Sequence, residues 1–155
     1  MRNKQKGFSL IELLIVVAII LIIAAIAIPN LLRAKIAANQ ASAVGSLRTL
    51  NTASIAFSTS YGQFPSALTA LGPIGSSGTA SSSSADLIDS VLAAGQKSGY
   101  NFSYSSTAPF QAYTIIAKPI TPATTGQNSY FTDQSGVIRV DTSGGTPSVA
   151  STPLG

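Results

Sequence analysis

The run GFSLIELLIVVAIILIIAAIAIP, from Gly7 to Pro29, limits what this chain can be more than any other stretch. Phe8 to Ile28 are 21 residues, apolar or small apart from Ser9 and one full charge, Glu12. At about 1.5 Å per residue, a helix of that length just crosses a hydrocarbon core roughly 30 Å thick. Arg2, Lys4 and Lys6 precede it, with no acid among the first eleven residues. A basic flank of this kind keeps the amino end in the cytoplasm and sends the rest of the chain outward. A single membrane pass is therefore expected before anything else.

Glu12 is the anomaly. A carboxylate in an apolar span costs energy even on lenient insertion scales, less so near the end of the span. It either snorkels to the headgroups or has a partner. If the chain is cut between Gly7 and Phe8, Phe8 gains a free amine and Glu12 becomes the fifth residue of the new chain. Opposite charges about 4 Å apart gain several kcal/mol at an effective dielectric near 20. Such a pair would join neighbouring copies of the helix in register.

Lys6 to Ile20, KGFSLIELLIVVAII, resembles the signature of type IV prepilins and related pseudopilins. The resemblance implies a leader at residues 1–7, cleaved after Gly7 by a prepilin peptidase that also methylates the Phe8 amine. It implies Glu12 as the assembly carboxylate, and a helix break at Pro29, where pilins commonly have one. By the same resemblance the partners are further copies in a helical filament, the assembly platform with its ATPase, and the inner membrane before assembly.

Composition narrows the function. Formal charge is +4, yet residues 1–7 hold three of the nine Lys and Arg and no acid, leaving six cations against five acids. The basic balance is thus mostly the leader's, and no clustered basic face argues for nucleic acid. Cysteine and histidine are absent, which removes disulfides, thiolate sites, the commonest general base and the usual nitrogen ligand for zinc. No enzyme and no cofactor are expected. A secretory signal peptide is the competing reading of the amino end, with Ala25-Ile26-Ala27 as its cut site. Against it, the run from Leu13 to Ile28 has 16 residues, longer than the usual apolar region of about 7–15, and Glu12 interrupts its start.

Past Pro29 the helical pattern continues as an amphipathic half over residues 30–60. Pro29 lacks an N–H and its ring opposes the carbonyl of Ala25, so a kink or local unwinding is expected there. Leu31, Leu32, Ile36, Val44, Leu47, Leu50 and Phe57 supply one face, and Arg33, Lys35, Asn39, Gln40, Arg48 and Asn51 the polar side. Gly45 weakens the helix and is read as marking a tight contact. The C-terminal part of this helix should carry the head. The part before it has nothing in the same chain to cover it, which implies other copies.

Residues 61–155 form the head, opened by the helix stop at Gly62. Ser66–Leu71 reads as one or two helical turns, and residues 74–84 as a mobile small-polar loop whose serines are candidates for glycosylation. Ser83 to Asp86 suggests a cap opening a short helix with Leu87, Ile88, Val91 and Leu92 on one face, stopped near Gly95. From Tyr100 the period changes to two, predicting strands at 100–105, 110–117, 129–132 and 136–141, the last pair joined by a turn at Asp133–Gly136. The expected class is α+β: a long N-terminal helix packed on a small antiparallel head of about four strands, with an αβ-loop between, as in the pilin fold.

Tyr130 to Arg139 is also similar to a C-terminal segment of some bacterial pilin-like proteins. Some pilin-like heads bind calcium, which makes Asp133 and Asp141 weak metal candidates, although calcium wants six to eight oxygens and a turn aspartate serves as well for Asp133. The functional expectation is a structural subunit of a type IV pilus. The alternatives are a pseudopilin of a type II secretion system and a membrane-tethered minor pilin or adhesin.

Overall fold

The computed structural model describes residues 7–75 and 78–154. What was expected of leader residues 1–6 and of Ser76 and Ser77 in the serine-rich loop lies outside them. The described residues divide into two compact units, the boundary falling between Ala34 and Lys35.

Helix α1 spans Leu10–Tyr61. It includes Pro29 without interruption, so the expected break is not an unwinding. Proline deletes a single donor, and the hydrogen bonds of the turns on either side carry the helix past it. The end falls where glycine permits it: Gly62 adopts φ +74° and its N–H bonds Ser58 O at 2.8 Å.

In the second unit, six strands form one antiparallel meander in chain order: β1 (Gln96–Lys97), β2 (Tyr100–Ser106), β3 (Tyr113–Pro119), β4 (Ser129–Asp133), β5 (Arg139–Asp141) and β6 (Thr152–Pro153). The four longest occupy the predicted segments, and the two-residue strands at the edges are additions to the expected count. Such short pairs present no periodicity to read. β3 starts three residues later than expected, because Phe110 stands at φ +57°, and it runs on to Pro119, which pairs with Tyr100 at the strand's end. The turn after Asp133 closes as expected, with Gly136 at φ +74° and its N–H on Asp133 O.

The core lies between the later turns of α1 and one face of the sheet. Ala43, Leu47, Leu50, Ala53 and Phe57 of α1 meet Tyr100, Phe102, Tyr113, Ile115 and Ala117 of β2 and β3. At about 25 cal/mol per Å2 of apolar surface removed from water, this contact is the main stabilising force in the head. Asn51, read from sequence as polar-side, is buried here: its Nδ2 donates to Thr132 Oγ1 at 2.8 Å, and Tyr113 OH donates to its Oδ1 at 3.1 Å. Gly45, by contrast, faces open space, and a Cβ there would meet nothing within 4 Å. The close approach occurs instead at Gly126, where a Cβ would collide with the ring and hydroxyl of Tyr100.

The linker segment departs from its sequence pattern. The turn at Leu68–Leu71 is a short 3-10 helix, and α2 covers only Ser90–Ala93. Its cap is Asp89, whose carboxylate accepts from Leu92 N at 2.7 Å, while Asp86 sits at φ +56° outside the helix. The reason is competition for backbone donors. Ala85, Asp86, Leu87 and Ile88 give their N–H groups to Ala70, Gly72 and Leu71 carbonyls, so no helix can start before them. The hydrogen bond from Lys97 Nζ at 2.8 Å, then the Leu92 N–H, hold the Asp89 carboxyl below its usual range. A lowered carboxyl pKa adds stability above the unfolded value near 3.8, lost as pH falls through the lower folded one. Asp89→Ala is accordingly expected to cost about 1 kcal/mol at pH 7, the ordinary worth of an N-cap. Its difference from wild type should shrink below pH ~4, as paired thermal melts would register.

Candidate functional site

The first turn of α1 gathers the residues singled out at the amino end. Gly7, Phe8 and Ser9 precede the helix, which begins at Leu10. Gly7 is exposed with no atom within 4 Å of where a Cβ would stand, and Phe8 is 74% exposed. The Gly7–Phe8 peptide bond therefore lies ahead of the helix, between two exposed residues. Ser9 O accepts the first helical bond, from Leu13 N at 3.2 Å. The Glu12 carboxylate turns back along the helix, and its Oε2 accepts from Ser9 N at 2.9 Å. This cis contact follows from Ser9-Leu-Ile-Glu12, whose spacing is that of a capping box, a signal that the apolar run around it masks.

Beyond Glu12 the apolar side chains of the first unit are exposed. From Leu10 to Leu32 the large side chains are exposed, Ile11 at 63%, Leu21 at 63% and Leu31 at 70%, and the most apolar window of α1 is wholly unburied. The helix is long and apolar enough here to cross a membrane.

Asp133 and Asp141 are not brought together. Asp141 pairs with Ser129 and Asp133 closes the other end of β4, four residues away, or roughly 13 Å at about 3.3 Å per residue. Each is engaged locally: Asp133 Oδ1 accepts from the Ser135 N–H at 2.9 Å, and Asp141 Oδ1 from the Ser143 N–H at 2.7 Å. The Ser143 hydroxyl, with that N–H, holds the Asp141 carboxyl below its usual range. Among the described residues no three His, Cys, Asp or Glu side chains cluster as a metal would require. The aromatic residues of β2 are core rather than platform, with Tyr100 and Phe102 buried and Tyr104 stacked on Tyr113 at 5.6 Å.

Comparison with known proteins bears on the same end of the chain. Residues 2–28 match the family model described as the prokaryotic N-terminal methylation motif. The chain is 50% identical over 54 residues to the type IV major pilin protein PilA of Myxococcus xanthus, a match covering 35% of this chain and 24% of that protein. It is 69% identical over 39 residues to the type IV wide pilus major component PilA4 of Thermus thermophilus, covering 25% of this chain and 29% of that one. The chain thus spans less than a third of the length of either relative. No solved structure matches it. At its amino end the chain is thus similar to type IV pilins: the methylation motif of residues 2–28 takes in the start of a long apolar helix, and an α+β head follows in the sequence.

Proposed function

We propose that this chain is a structural subunit of a type IV pilus and performs no catalysis of its own. A prepilin peptidase removes residues 1–7 and methylates the Phe8 amine. Until assembly the helix from Phe8 spans the inner membrane, amino end cytoplasmic, the orientation its basic leader favours. An assembly platform and its ATPase then draw the subunit into an extracellular helical filament, where packing against other copies replaces contact with lipid. Glu12 neutralises the Phe8 amine of a neighbour and sets the axial register. Gly7 and Phe8 are the processing residues, Glu12 the assembly residue.

One observation carries this reading: the exposed apolar surface of α1 begins inside a methylation motif whose presence in this chain is otherwise unexplained. A membrane anchor alone accounts for the surface, but not for a carboxylate five residues from the cleavage point. The names of the two relatives favour a pilus over a secretion pseudopilus.

Mass spectrometry of fibres sheared from the cell surface tests the proposal. The expected result is abundant chain beginning at N-methylated Phe8. Absence of the chain from such fibres, with processed protein confined to the envelope, would favour the secretion pseudopilus. A product beginning at Ile28, just past the Ala25-Ile26-Ala27 site, would establish a secreted monomer instead.

A further inference from the structure

We infer that Glu12 acts first within its own chain, as the residue that closes the helix start, and meets a neighbour with Oε1 wholly free and Oε2 already engaged. This deepens the reading of Glu12 as the assembly carboxylate and rests on it. The geometry is specific. Glu12 Oε2 accepts the Ser9 N–H at 2.9 Å, and the Glu12 carboxylate makes no other hydrogen bond among the described residues, leaving Oε1 for a second donor. Ser9 takes the N-cap position of α1 and Glu12 the third helical position, where a Glu reaches back to the cap's amide. The reciprocal bond, from the Glu12 N–H to the Ser9 hydroxyl, is not among those of the described residues, so the carboxylate supplies the side-chain half of the cap by itself.

Two consequences follow. An unpaired amide at a helix end inside or near hydrocarbon is costly, and the carboxylate satisfies it while lying at the positive end of the helix dipole. The unassembled subunit is thus not carrying a bare charge that waits for a partner; a stable membrane reservoir is compatible with Glu12. Second, cutting after Gly7 leaves both Ser9 and Glu12 in place, so the carboxylate enters assembly already aimed. Its rotamer freedom has been spent before a neighbour arrives, which favours association through preorganisation. Ser9 is in this sense a positioning residue, acting through its backbone N–H.

Amide hydrogen exchange on the processed full chain in detergent micelles, at fixed pH, reads this directly. Relative to wild type, the Ser9 amide of Glu12→Ala should exchange at least about fivefold faster, the effect of losing one charge-assisted hydrogen bond. Glu12→Gln keeps an oxygen acceptor at the same place without the charge, and Ser9 should stay within about twofold of wild type. Amides beyond the second turn of α1 should not change in either variant. Equal Ser9 exchange in wild type and Glu12→Ala would overturn the inference whatever the filaments do. Filament yield decides the other claim separately. Failure of both variants to assemble leaves the intermolecular role standing, and normal filaments from either would remove that role without touching the exchange result.

Discussion

Glu12→Ala is expected to be cleaved normally and to yield no detectable surface filaments. The proposed cleavage point at Gly7–Phe8 lies ahead of the helix, where both residues are exposed. Assembly is different, because the proposed contact between Glu12 and a neighbour's Phe8 amine forms at the edge of a low-dielectric bundle. Such a pair is worth several kcal/mol at an effective dielectric near 20, and losing even about 3 kcal/mol weakens each contact more than a hundredfold. A filament compounds that loss at every step. Immunoblots of membrane and sheared fractions provide the measurement: full-strength processed subunit in the membrane, at least about a hundredfold less outside. Glu12→Gln should fail in the same way, since it keeps the cap but not the charge. Filaments at wild-type level from either variant would refute the assigned contact.

How much of this was legible in the sequence depended on whether the signal was local. Gly62, the alternation of Tyr100, Phe102 and Tyr104, and the turn at Asp133–Gly136 each state their conformation within a few residues, and the structure agrees with all three. Departures arise where a distant segment competes for the same groups. Ser83 to Asp86 has the composition of a cap, but the 3-10 segment takes the following N–H groups and moves the helix start to Ser90. Asn51 is polar by type and buried by tertiary pairing, which no helical wheel reveals. β1 and β6 exist only because a neighbouring strand offers an edge. At the candidate site the residues are plain from spacing, whereas the Ser9–Glu12 hydrogen bond is not. A lone charge in an apolar run points outward, to a partner in another copy, while its nearest donor lies three residues away in its own chain.

Asn51→Leu should markedly destabilise the unit that α1 forms with the sheet. Leucine matches the shape but has no polar atoms, and it strands two hydroxyls together. Thr132 Oγ1 and Tyr113 OH both bond the Asn51 amide, and both residues are almost fully buried, at 0% and 1% exposure. Leaving a buried polar group unsatisfied costs about 1–3 kcal/mol, so two of them come to roughly 3 kcal/mol once the gain in apolar contact is set against the loss. For a unit of this size that is a fall in melting temperature of about 10 °C. Burial pushes the Tyr113 phenol up to about 12, helped by the Asp133 charge, so its O–H remains a donor throughout the neutral range. The destabilisation should therefore be the same at pH ~6 and pH ~9, unlike the acid-sensitive contribution of Asp89. Adding Tyr113→Phe and Thr132→Val to Asn51→Leu removes the stranded hydroxyls and should restore most of the lost stability. If the triple variant melts no higher than Asn51→Leu alone, the cost lies in packing around residue 51 rather than in the hydrogen bonds that join α1 to β3 and β4.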